Sequence, residues 1–451
     1  MFEHILGQSA VSQLANDINE GIVAPSMLFA GPSASGKGTT ALELGRIRSC
    51  ENPAAPLDCT CHACSLHRLL SHPDLLLLGP RGFSAEIAAA VAAFLRAPEP
   101  STRLLFIRSV RKLLARFTPI LWEDDPKIGK LSTYTAALEE DLDTLGAWNR
   151  SGEAGGAVPE KLKKCCDGII KNALKLESEG IGDLIPIALI RRAAYWSHLA
   201  PSGRGKLLLI EHADHMQDGA RNSLLKILEE PPEAVTIVLT ASREKSLLPT
   251  ILSRLRPYRF TQRSQDLEAQ VIRQVFKDEE HAKSSGLGSD GWLRSYLDSF
   301  LPVSGEALMP LAALFIASVT SAAVVDLRRQ GISSLPAWLV DLGAYTAPLA
   351  EAAGLGRPLR TAQGTVSKVL EGAANFEVRS LFSQFLNRVL TLIAESLCRR
   401  SAGPSGIGCT ELWAAQVKEA LIAVSTYNQS PALALDRLYV ELRRDMGVLA
   451  R

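Results

Sequence analysis

Ser26-Met-Leu-Phe-Ala30-Gly31-Pro-Ser-Ala-Ser-Gly36-Lys37-Gly38-Thr39-Thr40 is the stretch from which the fold of this 451-residue chain is read. The apolar run Ser26–Ala30 predicts a buried strand, and the segment from about Gly38 to Arg48 predicts a helix. A glycine-rich turn between the two lets backbone N–H groups face phosphates, and the helix N-terminus favours negative charge. Gly31, Gly36, Lys37, Gly38 and Thr39 are therefore candidate nucleotide-binding residues, with Lys37 reaching the outer phosphates. Position 38 departs from the usual pattern. A Ser or Thr there normally touches Mg²⁺, and only Thr39, one residue later, offers a partial substitute. The plain alternative is a Gly-rich turn that holds no ligand.

Outward from this loop, three more apolar runs read as buried strands: Leu75–Leu78, Lys206–Ile210 and Thr236–Thr240. Continuous apolar strands alternating with helical patterns predict an α/β domain with a parallel sheet covered on both faces. A helix at about Gln217–Glu230 stops at Pro231-Pro232. The stretch 84–182 is helical in pattern, with a Gly-rich loop at Ser151–Ala157, and reads as an insertion. Beyond Thr261 strand signals vanish. Gly-rich loops at Ser284–Gly291 and Ser401–Gly408 punctuate helices, of which Phe376–Arg400 is the clearest. The expected layout is an α/β domain at 1–260, a small linking domain at 261–305 and an all-helical domain at 306–451.

After the strand Lys206–Ile210 comes Glu211-His212-Ala213-Asp214. A working P-loop ATPase keeps at this spot an Asp for Mg²⁺, usually followed by a Glu that activates water. Here a longer Glu stands first and a His second. The arrangement suits holding or sensing nucleotide better than hydrolysing it.

Cys50, Cys59, Cys61 and Cys64 fall within fifteen residues after the loop's helix. Four clustered thiols in a chain of this size point to structural zinc rather than disulfides. The single residue between Cys59 and Cys61 is tight, and His62 or His67 is an alternative ligand. Unliganded thiols are the plain alternative.

Arg254 closes the segment Leu247–Arg254 at the edge of the sheet, where a solvated arginine is the ordinary expectation and an arginine finger the functional one. Arg103, Arg108, Arg111, Lys112 and Arg116 read as a solvated basic helix face, with DNA-backbone contact as the functional option. A net charge of +1 gives no global drive toward nucleic acid or membrane. The N-terminus Met1-Phe2-Glu3-His4 does not read as a signal peptide, and a cytoplasmic protein is expected. The uncharged run from Ala307 to Val325 has the length of a membrane span, but it is rich in small residues and contains Pro310. It is expected to be a buried bundle helix.

Several segments together resemble the bacterial DNA polymerase III clamp-loader subunits, delta-prime and gamma/tau, of the AAA+ class. The opening Phe2-Glu-His-Ile-Leu-Gly7-Gln8 is similar to their N-terminal box, and the Cys quartet stands where their zinc module stands. His72-Pro73-Asp74 resembles their next landmark. Asn222-Ser-Leu-Leu-Lys226-Ile-Leu-Glu229-Glu230-Pro231-Pro232 resembles the helix after their Walker B strand. Their Ser-Arg-Cys motif stands here as Ser253-Arg254-Leu255, without the Cys. Asn428-Gln-Ser-Pro-Ala-Leu-Ala-Leu-Asp-Arg-Leu438 resembles the end of the delta-prime collar.

The resemblance implies an AAA+ P-loop domain with a zinc module at about 50–64, followed by helical lid and collar domains. It implies a hetero-oligomer with gamma/tau and delta subunits that acts on the sliding clamp and primed DNA. Arg254 would then act in trans as an arginine finger. Glu211, His212 and Asp214 make a degenerate Walker B, which favours a delta-prime role with no ATPase of its own and with ATP or ADP as an optional ligand. A gamma/tau-type motor is the alternative, with Glu211 or Asp214 holding Mg²⁺. A nucleotide kinase, suggested by Gly36-Lys37-Gly38-Thr39, is a distant one.

Overall fold

The computed structural model describes residues 2–123, 125–148, 158–182, 184–283, 292–300, 305–351, 378–398, 404–425 and 429–449. The expected loops at 151–157 and 284–291 lie outside these residues, as do 401–403 and Asn428. The side chains at 305–307 and those of Cys398 and Cys409 lie outside them too. The chain divides into two compact units, Met1–Phe300 and Leu301–Arg451.

The strands of the first unit are β1 (Ser26–Ala30), β2 (Leu75–Leu78), β3 (Lys206–Ile210), β4 (Val235–Ala241) and β5 (Arg256–Arg259). Its longer helices are α1 (Ser9–Asn19), α2 (Lys37–Ser49), α3 (His62–Arg68), α4 (Ser84–Arg96), α5 (Pro100–Leu114), α6 (Pro119–Trp122), α7 (Ile128–Ala147), α8 (Glu160–Gly180) and α9 (Ile187–His198). They continue with α10 (Asp218–Glu229), α11 (Pro249–Leu252), α12 (Gln265–Phe276) and α13 (Trp292–Asp298).

The strands form one parallel sheet in the order β2-β3-β4-β1-β5. Successive strand residues point to opposite faces, and every residue of β1 to β4 is buried because both faces are covered. Leu28, Leu76, Leu78, Leu208, Ile210 and Leu239 pack with the insertion, α9 and α10. Met27, Phe29, Leu75, Leu77, Leu207 and Leu209 pack with α1, α2 and the Cys-bearing segment. The architecture is the expected α/β one, a parallel sheet covered by helices with a glycine-rich loop after β1.

β5 is the strand the sequence reading missed. Only Tyr258 of its four residues is buried, and Pro257 is tolerated because the strand is at the sheet edge. Tyr258 meets Phe29 edge-on at 5.6 Å, and its hydroxyl donates to Asp17 of α1 at 2.5 Å.

Among its described residues the insertion is built of helices and short connections, with no strand. Leu131 lies against Gly180, and Asp141 against Cys165 and Gly168, so α7 and α8 run antiparallel. Glu177 of α8 is fully buried and accepts from Gly82 N (2.5 Å), Phe83 N (2.7 Å) and Ser84 Oγ (2.7 Å). These groups lie at the start of α4, where backbone donors lack intrahelical partners, so a carboxylate is well placed there. The segment after β5 packs α12 and α13 on α4 through Ile272, Phe276, Leu293 and Tyr296, with Arg96 paired to Asp278 at 2.6 Å.

The described residues of the second unit form α14 (Gly305–Arg329), α15 (Ala337–Glu351), α16 (Val378–Cys398), α17 (Pro404–Ser425) and α18 (Pro431–Leu449). α14 contains the one helix stretch among described residues long and apolar enough to cross a membrane, Leu308–Arg329. Its apolar side chains are nonetheless packed inside the bundle: Leu308, Phe315, Ile316 and Val319 are buried with Phe382, Phe385, Trp413 and Leu435. Asp326 at its end takes a two-point contact from Arg443 at 2.6 and 2.7 Å.

Candidate functional site

The phosphate-type loop leaves β1 at Ala30 and enters α2 through Gly36, whose φ of 95° only glycine adopts freely. Lys37 is buried and folded back on its own loop. Its Nζ donates to Gly31 O at 2.6 Å and to Pro32 O, with Ser35 Oγ at 3.3 Å. Burial pushes Lys37 down to about 8, against the pull of Asp214 and Glu211. Thr39 is exposed, and Thr40 is buried with its hydroxyl on Gly36 O. The N-terminal box joins the loop through Arg263, which donates to Leu6 O (3.0 Å) and Ala34 O (2.6 Å). Gln8 and Thr261 exchange a pair of hydrogen bonds beside it. The box also lines an open hollow of 650 Å³, bounded by Phe2, Ile5, Gly7, Gln8 and Val11.

Glu211 continues β3 into the space beside α2. A β-carbon placed on Gly38 would stand 2.5 Å from Glu211 Oε1, so the longer acid and the missing side chain at 38 are complementary. Arg116, in the turn that follows α5, donates to Glu211 Oε2, and Lys112 Nζ lies 3.4 Å from Oε1. Burial alone would push the Glu211 carboxyl up. Lys112 and Arg116 outweigh it and hold the group at about 2. Lys112 and Arg116 therefore do not belong to a solvated or DNA-facing basic surface, because both turn inward to this carboxylate. Arg103 and Arg108 spend a donor each on backbone carbonyls, those of Trp148 and Arg68. No local pattern signals the Arg116–Glu211 pair, whose members are 95 residues apart.

His212 has a left-handed backbone, φ 51°, and its N–H donates to Thr240 Oγ1. Asp214 Oδ2 is taken by Ser242 Oγ at 2.6 Å. Glu211 is thus committed to two cations, while Asp214 gives Oδ2 to a hydroxyl and keeps Oδ1 buried with no hydrogen-bond partner among the described residues. The residues present do not make a Mg²⁺ site of the usual kind.

The four thiols converge. The Sγ atoms of Cys50, Cys59, Cys61 and Cys64 all lie within 4.8 Å of one another, with Cys50 and Cys59 3.6 Å apart. A tetrahedral zinc with bonds of about 2.3 Å needs sulfur–sulfur edges near 3.8 Å, so the donor set fits the ion. Cys61 is also the N-cap of α3, with Cys64 N pointing at its sulfur. Arg46 of α2 joins the module to the sheet domain. It pairs with Glu43 at 2.7 Å and donates to Ala55 O, Pro56 O and Cys64 Sγ. Neither histidine belongs to the set: His67 is buried on Ser49 Oγ at 2.9 Å and stacked on His72, and His62 is exposed. Asp74, from the His72-Pro73-Asp74 landmark, accepts from Ser202 N and Gly203 N and so fixes the turn before β3.

Arg254 follows α11 and is about one-third exposed. It donates to Glu229 Oε1 at 2.7 Å and to Thr250 O at 2.6 Å. It therefore sits against the last turn of α10 rather than in the loop of its own chain.

A family described as "DNA polymerase III, delta subunit" matches residues 7–117 and 166–264. DNA polymerase III subunit delta' of Yersinia pestis is 40% identical over 72 residues, which are 16% of this chain and 21% of that protein. Subunit delta' of Bacillus subtilis (strain 168) is 47% identical over 55 residues, 12% and 17% of the two chains. Subunit tau of the same organism is 30% identical over 180 residues, 36% and 31% of the two. The chain thus spans between a sixth and a third of the length of these relatives. A solved DNA polymerase III gamma subunit-related protein from Thermotoga maritima aligns over 59% of this chain and 81% of its own, at 19% identity. The TM-score of that alignment is 0.27. The matched segments are similar to subunits of DNA polymerase III, with delta-prime and tau both among the relatives.

Proposed function

We propose that this chain is a delta-prime-like clamp-loader subunit that works in the cytoplasm within a hetero-oligomer of tau/gamma and delta subunits. In this reading it serves loading of the sliding clamp on primed DNA and does not hydrolyse ATP itself. The observation that carries it is the filling of the Mg²⁺ position, where Glu211 lies against Gly38 under Lys112 and Arg116. A subunit so built contributes rigidity and its edge arginine. The zinc module ties α2 to α3, the second unit joins a collar, and Arg254 reaches a neighbour's phosphate once it leaves Glu229. Gly31, Gly36, Lys37, Gly38 and Thr39 retain a loop that cradles phosphate, so ATP or ADP remains a ligand. The hollow beside Phe2 and Gln8 is of a size suited to a base.

The test is reconstitution with tau and delta subunits, clamp and primed DNA. Assembly without turnover by the isolated chain, and assembly-dependent turnover that falls in Arg254→Ala, are expected. Failure to assemble would sink the subunit reading. A motor role of the gamma/tau kind is favoured by one feature, the retained Lys37. It would be recognised by turnover of the isolated chain that disappears in Lys37→Ala.

A further inference from the structure

The insertion supplies two cations to the one place where a P-loop protein ordinarily has a divalent ion. Glu211 Oε1 occupies the space a side chain at position 38 would need, and Oε2 is held by Arg116. Lys112, 19% exposed, lies between Glu211 (3.4 Å) and the more exposed Glu86 (3.1 Å). Asp plus Mg²⁺ leaves one net positive charge at such a site; Glu211 with Lys112 and Arg116 carries the same, offset in part by Glu86, which accepts from Lys112 at 3.1 Å. Glu86, on the solvent side, is the screened member of the group. Arg116 is 4% exposed, and among the described residues its Nε and Nη1 meet no acceptor, so it has donor capacity beyond Glu211. A divalent ion approaching Glu211 would have to displace two cations already in contact with it. That displacement is unfavourable where water screens little.

We infer that Lys112 and Arg116, clamped on Glu211 beside Gly38, replace the divalent cation at this loop, so that nucleotide polyphosphate binds here without magnesium. The inference rests on the reading of residues 31–40 as a phosphate cradle. It makes the insertion part of the nucleotide site, with Lys112 and Arg116 as its specificity-determining residues.

The test uses the full chain with fluorescently labelled ADP and ATP, titrated in Mg²⁺ and again in EDTA. The same dissociation constant within about twofold in both buffers is expected, in keeping with a site that already carries its counter-charge. Lys112→Met, which keeps the apolar stem, should weaken binding in EDTA by about tenfold, the loss of one charge-assisted contact. The double variant Gly38→Ser with Glu211→Asp, which restores the ordinary residues, should bind more tightly with Mg²⁺ than without. Binding by the unaltered chain that collapses in EDTA overturns the inference. So does an absence of nucleotide binding in both buffers, and that result leaves the subunit reading intact, because assembly decides it separately.

Discussion

Arg254 Nη2 lies 2.7 Å from Glu229 Oε1, which joins the residue after α11 to the Leu-Glu-Glu-Pro-Pro end of α10. Both partners are partly exposed, 33% and 50%, so the pair is weak: such contacts are worth about 1 kcal/mol or less. A contact of that size holds an arginine in a defined place without preventing its departure. Glu229→Ala should therefore leave unfolding in urea unchanged to within about 1 kcal/mol. On the proposed function it should preserve or raise ATP turnover in a reconstituted loader, whereas Arg254→Ala should lower turnover at the neighbouring site by about 10³–10⁵. Equal losses in the two variants would show that Glu229, not the free arginine, is what the neighbour needs.

The carboxylate of Glu211 makes stability pH-dependent in a defined direction. Its folded-state value, about 2, lies below the ordinary glutamate value of 4.5. Its contribution is therefore fully present above pH 4.5 and is lost as pH falls toward 2, with a size of roughly 3 kcal/mol. Glu211→Gln should remove that acid-side slope in urea titrations. It should also destabilise the chain near neutral pH by about 3–5 kcal/mol, since two inward cations lose their counter-charge. A variant as stable as the parent at pH 7 would refute the buried-pair account.

Zinc content is the check on the thiol quartet. One zinc per chain is expected by elemental analysis, and none in Cys64→Ser. Cys165→Ser, outside the quartet, should leave the metal content unchanged. Removing the ion with a strong chelator should open the 50–68 segment to protease before the sheet, because Arg46, the His67–Ser49 contact and a few apolar side chains are then what hold that segment to α2. A metal-free chain with an undisturbed protease pattern would return these thiols to ordinary packing.

Glu177 is fully buried and carries three donors from the start of α4. Glu177→Ala should cost about 3 kcal/mol or more, since the backbone donors of Gly82 and Phe83 are left without an acceptor. Hydrogen exchange should quicken first in 82–96. An unaltered exchange map would mean that α4 is held by its apolar face alone.

The sheet was legible where burial on both faces writes a continuous apolar run. Leu75–Leu78 and Lys206–Ile210 have the predicted bounds, and β4 extends the expected strand by one residue at each end. β5 was not legible, because an edge strand with one buried side chain, Tyr258, leaves no such run. The loop and the thiol quartet could be read because their residues are close in sequence. The cations that complete Glu211 could not, because helix periodicity places Lys112 and Arg116 on a common side without saying whether that side meets solvent or a strand end. His67 shows the same limit: its spacing suited a metal ligand, and its partner turned out to be Ser49.

The latch at Glu177 also bears on how the chain folds as it is synthesised. β2 must wait for β3 until the whole insertion has emerged, and pairing across an open chain of that length carries a closure cost and slows the search. Glu177 meets Phe83 across 94 positions and brings the two feet of the excursion together. Once α4 to α8 have closed, the nascent sheet meets a short, stiff connection in place of a long floppy one. The rate at which the sheet zips is then set by the helices that interrupt it, and a replacement insertion would have to fold as quickly as this one.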